Sequence, residues 1–419
     1  AMLWAFCYFF VLLCSYYILR PMRDEMGIAG GVENLQWLFT GTFFAMLATV
    51  PLFGWLTSRY SRAVFLPMVY GFFIFNLMLF YLLFSSDVAD GWVARIFFIW
   101  VSVFNLFVVS VFWSFMADIF SNRQARRLFG FIAAGGTAGA LVGPALTAVL
   151  VKPLGPENLM LVSAVLLGFA MLCIGQLIKW QTAYDDADPA VVISTDNPLG
   201  GSLLAGIRLV LQSPYLLGIA LLMLLFTTLA TFLYFQQAQI IRDAFTDPSE
   251  RTAVFASIDL AVNLLTVLIQ LFLTGRLVRW LGLPWTLALV PLLLALGFMA
   301  LAMAPVLAVL AVVQIIRRAG NYAIMRPSRE MLYVVLGREE KYKAKNFIDT
   351  TVYRGGDAIS AWIYTGLRSL GLGLSGIAWL AVPLAGFWAL LAYRLGREQT
   401  RMAQRQSSNN LSNKNQAER

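Results

Sequence analysis

Gly54-Trp-Leu-Thr-Ser-Arg59 and Gly275-Arg-Leu-Val-Arg279 are short basic connections that interrupt long apolar runs, 221 residues apart counted from Gly54 to Gly275. Two further pairs recur at nearly the same interval: Arg23-Asp24 with Arg242-Asp243, 219 residues apart, and Gly135-Gly136 with Gly355-Gly356, 220 apart. Three agreements within a few residues read as an internal duplication. Midway, residues 181–201 break the apolar pattern with Asp185, Asp186, Asp188, Asp196, Pro189 and Pro198. The expected organisation is a six-helix bundle over 1–180, a linker over 181–212, a second six-helix bundle over 213–396, and a disordered tail over 397–419. The tail is polar, rich in Ser, Asn and Gln, and has no apolar face to bury.

The apolar runs decide the solvent. Of 419 residues, 60% are hydrophobic and 13% charged, with a mean hydropathy of +0.74, against roughly 25% charged in a soluble domain. A bilayer core about 30 Å thick takes roughly 20 apolar residues per helix. About twelve such spans can be placed, near 2–20, 35–57, 63–84, 92–118, 128–151, 157–179, 213–240, 252–274, 284–303, 306–328, 347–369 and 373–393. The first opens at Ala1 with no basic leader and no small-residue cleavage site, so it reads as a membrane helix and not a signal peptide.

The net charge of +9 is not a nucleic-acid footprint, because its placement follows the positive-inside rule. Arg59 and Arg62, then Arg123, Arg126 and Arg127, then Arg276 and Arg279, then Lys341, Lys343 and Lys345 follow alternate spans, all on one side. That side is read as cytoplasmic, with the linker and both termini on it, in a bacterial inner membrane. The loops around Asp87 and Asp90, or Asp243, Asp247 and Glu250, lie opposite. Histidine is absent, which removes the commonest metal ligand and neutral-pH base. Cys7, Cys14 and Cys173 fall in apolar runs, so neither disulfide, metal nor cofactor is expected. There is no P-loop pattern and no H-E-x-x-H, which argues against an enzyme or an ATP-driven pump.

Parallel repeats about an axis along the membrane normal are the plan of major facilitator transporters, which bind substrate near the midplane. The loop after the second span resembles that superfamily's signature in Gly54, Leu56, Arg59 and Arg62, with Ser58 in place of its aspartate and Ser61 in place of its second glycine. The expected fold is therefore all-α and integral to the membrane: about twelve helices in two six-helix pseudo-repeats, the major facilitator fold. Gly139-x-x-x-Gly143-Pro144 in the fifth span resembles the bend motif of superfamily antiporters; close helix packing by small residues is the other reading.

Ionisable groups at membrane depth cost about 2.5–3.5 kcal/mol each on insertion scales, so each needs a cavity, a partner or a function. Arg317 and Arg318 lie about 18 Å into the tenth span at 1.5 Å per residue, and point about 100° apart. Asp349 opens the eleventh span, and Arg354 and Asp357, at i,i+3, share one face. The repeat puts Ala134 and Thr137 at those positions in the first half, so packing alone does not require charge there. Asp259, with Asn263 a turn on, forms a polar stripe that would either titrate or partner an arginine. Arg20, Arg23 and Asp24 end the first span. Arginine's planar fork suits phosphate and carboxylate. The candidate substrate-binding set is Arg20, Arg23, Arg317, Arg318 and Arg354, with Asp24, Asp259, Asp349, Asp357 and Arg59 as coupling or gating groups.

Three stretches are similar to the ATP/ADP translocases, the nucleotide transporters of plastids and intracellular bacteria. They are Tyr17-Ile-Leu-Arg20 with Arg23-Asp24; Phe112-Trp-Ser-Phe-Met-Ala117 with Ala125-Arg-Arg-Leu-Phe-Gly130 and the small-residue run to Gly143; and Arg329-Glu-Met-Leu-Tyr333 through Lys341, Lys343, Lys345, Ile348 and Asp349 to Gly355-Gly356. The resemblance implies electrically balanced exchange of nucleotides, with Arg23 and Arg354 on phosphates. Arg23 stands where the family usually has lysine, and Arg-Gly-Gly-Asp where it has Lys-Ser-Gly-Gly, so a relative moving another anion stays open. The expected partners are a small anionic solute, nucleotides among the candidates, and membrane lipids, with the protein a monomer. The alternatives are a proton-coupled exporter of amphipathic or lipid-like solutes and, from another class, a membrane-embedded transferase or receptor.

Overall fold

The computed structural model describes residues 1–86, 91–120, 122–185 and 203–417. The described residues form helices and short connections, without a strand. In order they are α1 (Met2–Ala29), α2 (Leu35–Arg59), α3 (Arg62–Ser85), α4 (Gly91–Ile119), α5 (Asn122–Leu154), α6 (Pro156–Asp185), α7 (Leu203–Gln212), α8 (Pro214–Ala244), α9 (Pro248–Phe272), α10 (Thr274–Met303), α11 (Leu307–Gly320), α12 (Arg326–Leu332), α13 (Arg338–Phe347), α14 (Tyr353–Ser369) and α15 (Leu374–Ala417). Proline opens α6, α8 and α9, where its missing N–H would have had no helical partner. Between α5 and α6 the chain turns at Gly155, φ +82°, a left-handed conformation that glycine adopts without steric cost.

Among the described residues, eleven helical segments are long and apolar enough to cross a membrane. The expected span over 347–369 is the exception. It comprises a π-helical turn, Ile348–Val352, followed by the 17 residues of α14, and it carries Asp349, Arg354 and Asp357. A second π-helical turn, Asn321–Met325, joins α11 to α12. The chain is an all-α membrane protein, and its outward faces are apolar: Trp92 and Trp280 are 69% and 70% exposed, as side chains bathed by lipid would be.

Contacts divide the chain into two units, Ala1–Pro198 with Ile241–Asn263, and Leu199–Ile240 with Leu264–Arg419. In the first, α1 packs against α4, α5 and α6, and α3 against α4 and α6. Its core is aromatic: Tyr8 and Tyr70 share a 2.5 Å hydroxyl contact, and the rings of Phe9 and Phe112 stack at 4.1 Å. The first sixteen residues of α9 belong with this unit although they follow the sequence midpoint. In the second, α10 packs on α11 and α15, and α7 on α13.

The glycine row of α5 exists to let α1 approach. A β-carbon at Gly135, Gly136, Gly139 or Gly143 would collide with the backbone or rings of Phe6, Phe9, Phe10, Cys14 and Tyr17. In the second unit a β-carbon at Gly356 would strike Thr227 of α8, so Gly135 and Gly136 let α5 pack on α1, and Gly356 lets α14 approach α8. Gly139→Val should therefore lower stability by about 1–3 kcal/mol, the usual range for overpacking. Gly168→Val on α6, where no atom lies within 4 Å, should leave the melting temperature in detergent unchanged. Equal melting of both variants would contradict this packing role.

Helix extends into two of the segments expected to connect or follow the bundles. The stretch expected to be a linker over 181–212 is helical at both ends: 181–185 finish α6, and Leu203–Gln212 form α7, which packs against α13. Its acidic and proline residues Asp186, Asp188, Pro189, Asp196 and Pro198 lie outside the described residues, as do Asp87 and Asp90. The tail expected to be disordered continues α15 as helix through Ala417. Residues 397–406 hold no Gly or Pro and are mostly good helix formers, and Gln406 Nε2 anchors them by donating to the carbonyl of Val335 at 3.0 Å.

Candidate functional site

The last turns of α1 carry Arg20, Arg23, Asp24 and Glu25. Pro21 sits among them, and its missing N–H loosens the helix where the charges concentrate. In the first unit Arg20 Nε lies 3.5 Å from Asp259 Oδ2 of α9, with side-chain exposures of 14% and 1%. The Arg20 guanidinium also lies over the Tyr17 ring, 5.7 Å from its centroid. Arg23 grips its neighbour, donating from Nη2 and Nε to Asp24 Oδ1 at 2.6 and 3.1 Å. Its Nη1 donates to Ser102 Oγ of α4 at 3.4 Å, and the fork stands 5.0 Å over the Phe98 ring. Asp24 and Ser102 thus hold Arg23 in one orientation from two sides. An anion reaching this fork would compete with Asp24 for the same donors.

Further along α9, Asn263 Nδ2 donates to the carbonyl of Ala140 in α5 at 2.7 Å. Arg251 Nη1 pairs with Glu25 at 3.2 Å, and Lys152 of α5 with Glu250 at 3.5 Å. Polar side chains between Glu250 and Asn263 therefore tie this part of α9 to α1 and α5.

The second unit holds two polar clusters. In one, Gln314 of α11 is 1% exposed and its Oε1 accepts from Arg317 Nη2 and Nε at 2.9 and 3.2 Å. Gln314 Nε2 donates in turn to Gln237 of α8. Arg318 is buried, at 7%, whereas the stem of Arg317 borders an apolar groove with Leu293, Gly297, Val312 and Ile316. The adjacent arginines thus diverge, as their 100° separation requires.

In the other cluster Arg354 Nη1 lies 3.6 Å from Asp357 Oδ2, with exposures of 36% and 16%, and its fork stands 5.0 Å over the Tyr353 ring. Asp349, in the π-helical turn, pairs with Arg329 Nη2 of α12 at 3.0 Å. Lys345 Nζ and Glu330 meet at 2.5 Å nearby. Both π-helical turns border this charge cluster, one before Arg326 and Arg329, the other holding Asp349. A π turn adds a residue to a helical turn and rotates the faces of the helix beyond it, and it is often found at functional sites.

The predicted residues fall into place unevenly. Arg20 meets Asp259, Arg23 meets Asp24, and Arg354 meets Asp357. Arg59 stands apart at the exposed end of α2, 5.8 Å over Trp55, while the side chains of Arg62, Arg123, Arg126 and Lys341 lie outside the described residues. Not anticipated were Gln237, Gln314, Arg329, and the Glu25 and Arg251 pair. Gln236-Gln237 had a signal, two amides inside an apolar run. Arg251 had none, because at a helix start it reads as a loop residue.

The family model of the Major Facilitator Superfamily matches residues 1–339. Among curated proteins the chain is 24% identical over 432 residues to ADP,ATP carrier protein 1 of Chlamydia muridarum (strain MoPn / Nigg), covering 86% of this chain and 80% of that one. It is 22% identical over 431 residues to ADP,ATP carrier protein 1 of Chlamydia trachomatis serovar D, covering 86% and 81%. Among solved structures it is similar to the nucleoside transporter NupG, with a TM-score of 0.66 at 12% identity over 96% of this chain and 99% of that one. A POT family transporter in complex with a thioalcohol-conjugated peptide gives 0.62 at 12% identity over 96% of each. Those structural likenesses concern the fold.

Proposed function

Since the chain belongs to the Major Facilitator Superfamily, we propose that it is a secondary active transporter that moves a nucleotide or related organic anion by alternating access, as exchange. The observation that carries this reading is the pairing of membrane-depth arginines with a sequence likeness, over 86% of the chain, to proteins named ADP,ATP carriers. Arg23 and Arg354 would hold phosphate oxygens: each is charged, oriented by a neighbouring carboxylate and set over an aromatic ring. Guanidinium binds phosphate through two parallel donors, which gives orientation as well as charge. When an anion takes the fork, it competes with Asp24 or Asp357 for the same donors, so occupancy changes the local charge balance. That is a means of coupling substrate binding to helix movement. The basic loops on one side support an inner-membrane protein with both termini cytoplasmic, acting as a monomer on a small anionic solute.

The test is uptake of labelled ATP into proteoliposomes preloaded with ATP, with ADP, with phosphate or with buffer alone. Saturable uptake that requires internal nucleotide is expected. Equal uptake into buffer-loaded vesicles would exclude obligatory exchange, and no uptake by folded protein would exclude nucleotides.

A further inference from the structure

Glu25 is the most completely buried carboxylate in the α1 charge cluster, with 0% side-chain exposure. Its Oε1 faces Arg251 Nη1 at 3.2 Å, while its Oε2 is buried and accepts no hydrogen bond from the described residues. Arg251 in turn donates from Nε to the carbonyl of Phe245 at 2.9 Å. One oxygen is therefore compensated by a cation from another helix, and the second has no donor of its own. A buried carboxylate is tolerated only when paired or neutral, and separating a buried pair leaves an uncompensated charge. Arg251 sits near the start of α9, which polar side chains hold against α1 and α5, so the pair depends on where that helix lies.

We propose that Glu25 is a proton-binding site of this protein: when α9 withdraws Arg251, Oε2 takes a proton from water and the carboxylate becomes a neutral carboxylic acid. One proton is bound as the pair opens and released as it closes, so the movement of α9 is linked to pH. The surrounding charges favour this group over its neighbours. On α1, Asp24 is held by Arg23 at 2.6 Å, and Arg20 is turned to Asp259 of α9. On α9 and the connection before it, Glu250 faces Lys152 of α5, and the Asp247 carboxylate accepts from the backbone N–H of Ser249 at 3.1 Å. On α4, Arg95 donates to the carbonyl of Gly30 at 2.8 Å, and on α6 Glu157 folds back over Gly155. Arg251 is the cation paired with Glu25, and withdrawing it favours the protonated form.

This inference goes beyond the exchange reading and does not depend on the solute, so vesicles that fail to move nucleotides leave its test intact. Arg251→Gln, Glu25→Gln and the double variant are melted in detergent between mildly acidic and mildly alkaline pH. Arg251→Gln should melt below wild type at alkaline pH and regain most of that loss on acidification, as Glu25 takes its proton. The double variant should lose this pH response. A response in Arg251→Gln no different from that in the double variant overturns the proposal. Should Arg251→Gln not fold, infrared difference spectra of wild type and Glu25→Gln over the same range replace it. A carboxylic C=O band that appears on acidification only in wild type supports the site, and identical spectra overturn it.

Discussion

Arg23→Ala and Arg354→Ala are each expected to raise the apparent Km for exchanged nucleotide by roughly 10- to 100-fold. A hydrogen bond to a charged group contributes about 1.5–3 kcal/mol, and about 1.4 kcal/mol is a factor of ten. The lysine variants are the informative comparison. Lysine keeps the charge but presents a point donor instead of a planar fork, so Arg23→Lys and Arg354→Lys should recover part of the affinity. If lysine and alanine are equally impaired in folded protein, the fork and its two parallel bonds carry the binding. If neither alanine variant changes Km, these arginines only neutralise Asp24 and Asp357, and the binding role assigned to them fails.

The second large effect concerns Arg20 and Asp259. Their 3.5 Å pair is buried at the carboxylate end, and breaking a buried pair by removing one member costs about 3–5 kcal/mol. Asp259→Asn and Arg20→Gln should each lower thermal stability sharply. The double variant, which removes both charges and keeps the shape of the carboxamide side, should recover most of the loss. A double-mutant cycle on unfolding in detergent measures this coupling. Additive losses would show that the two side chains act independently, and Asp259 would then return as a separate coupling group.

Much of the membrane architecture is legible in the sequence because it rests on local regularities. A run of about 20 apolar residues must close its own backbone hydrogen bonds in lipid, and the helix alone does so within one segment. The duplicated Gly-Gly pairs are visible for a similar reason, since a helix that must meet another backbone cannot carry a β-carbon there. The tail from Arg397 reads as disordered only if a polar segment is assumed to need an apolar face to bury. It needs only to prolong a helix already nucleated in the membrane, which spares the costly first turn. In the linker, the acidic, proline-containing half draws attention away from the apolar spacing of Leu203–Gln212, which is helical.

At the candidate site the sequence names charged residues but does not match them. Arg354 and Asp357 can be paired because they stand on one helical face, where spacing alone determines the neighbour. Asp349 and Arg329 stand on different helical segments, with α13 and the turn before it between them, so no count of helical turns pairs them. Arg317 stands out for its charge, but two of its nitrogens donate to Gln314, and that amide's further bond to Gln237 crosses 77 residues.

The sequence by itself determined that this chain crosses a membrane many times, that it is duplicated, and where arginines and carboxylates interrupt the apolar runs, because period and composition act within one helix. Tertiary structure alone decided which charges on different helices meet. Arg20 with Asp259 and Glu25 with Arg251 join α1 to α9 across half the chain, and no periodicity reaches that far. An ion pair depends on distances of a few ångströms in space, and only the packing of α9 against α1 and α5 supplies them.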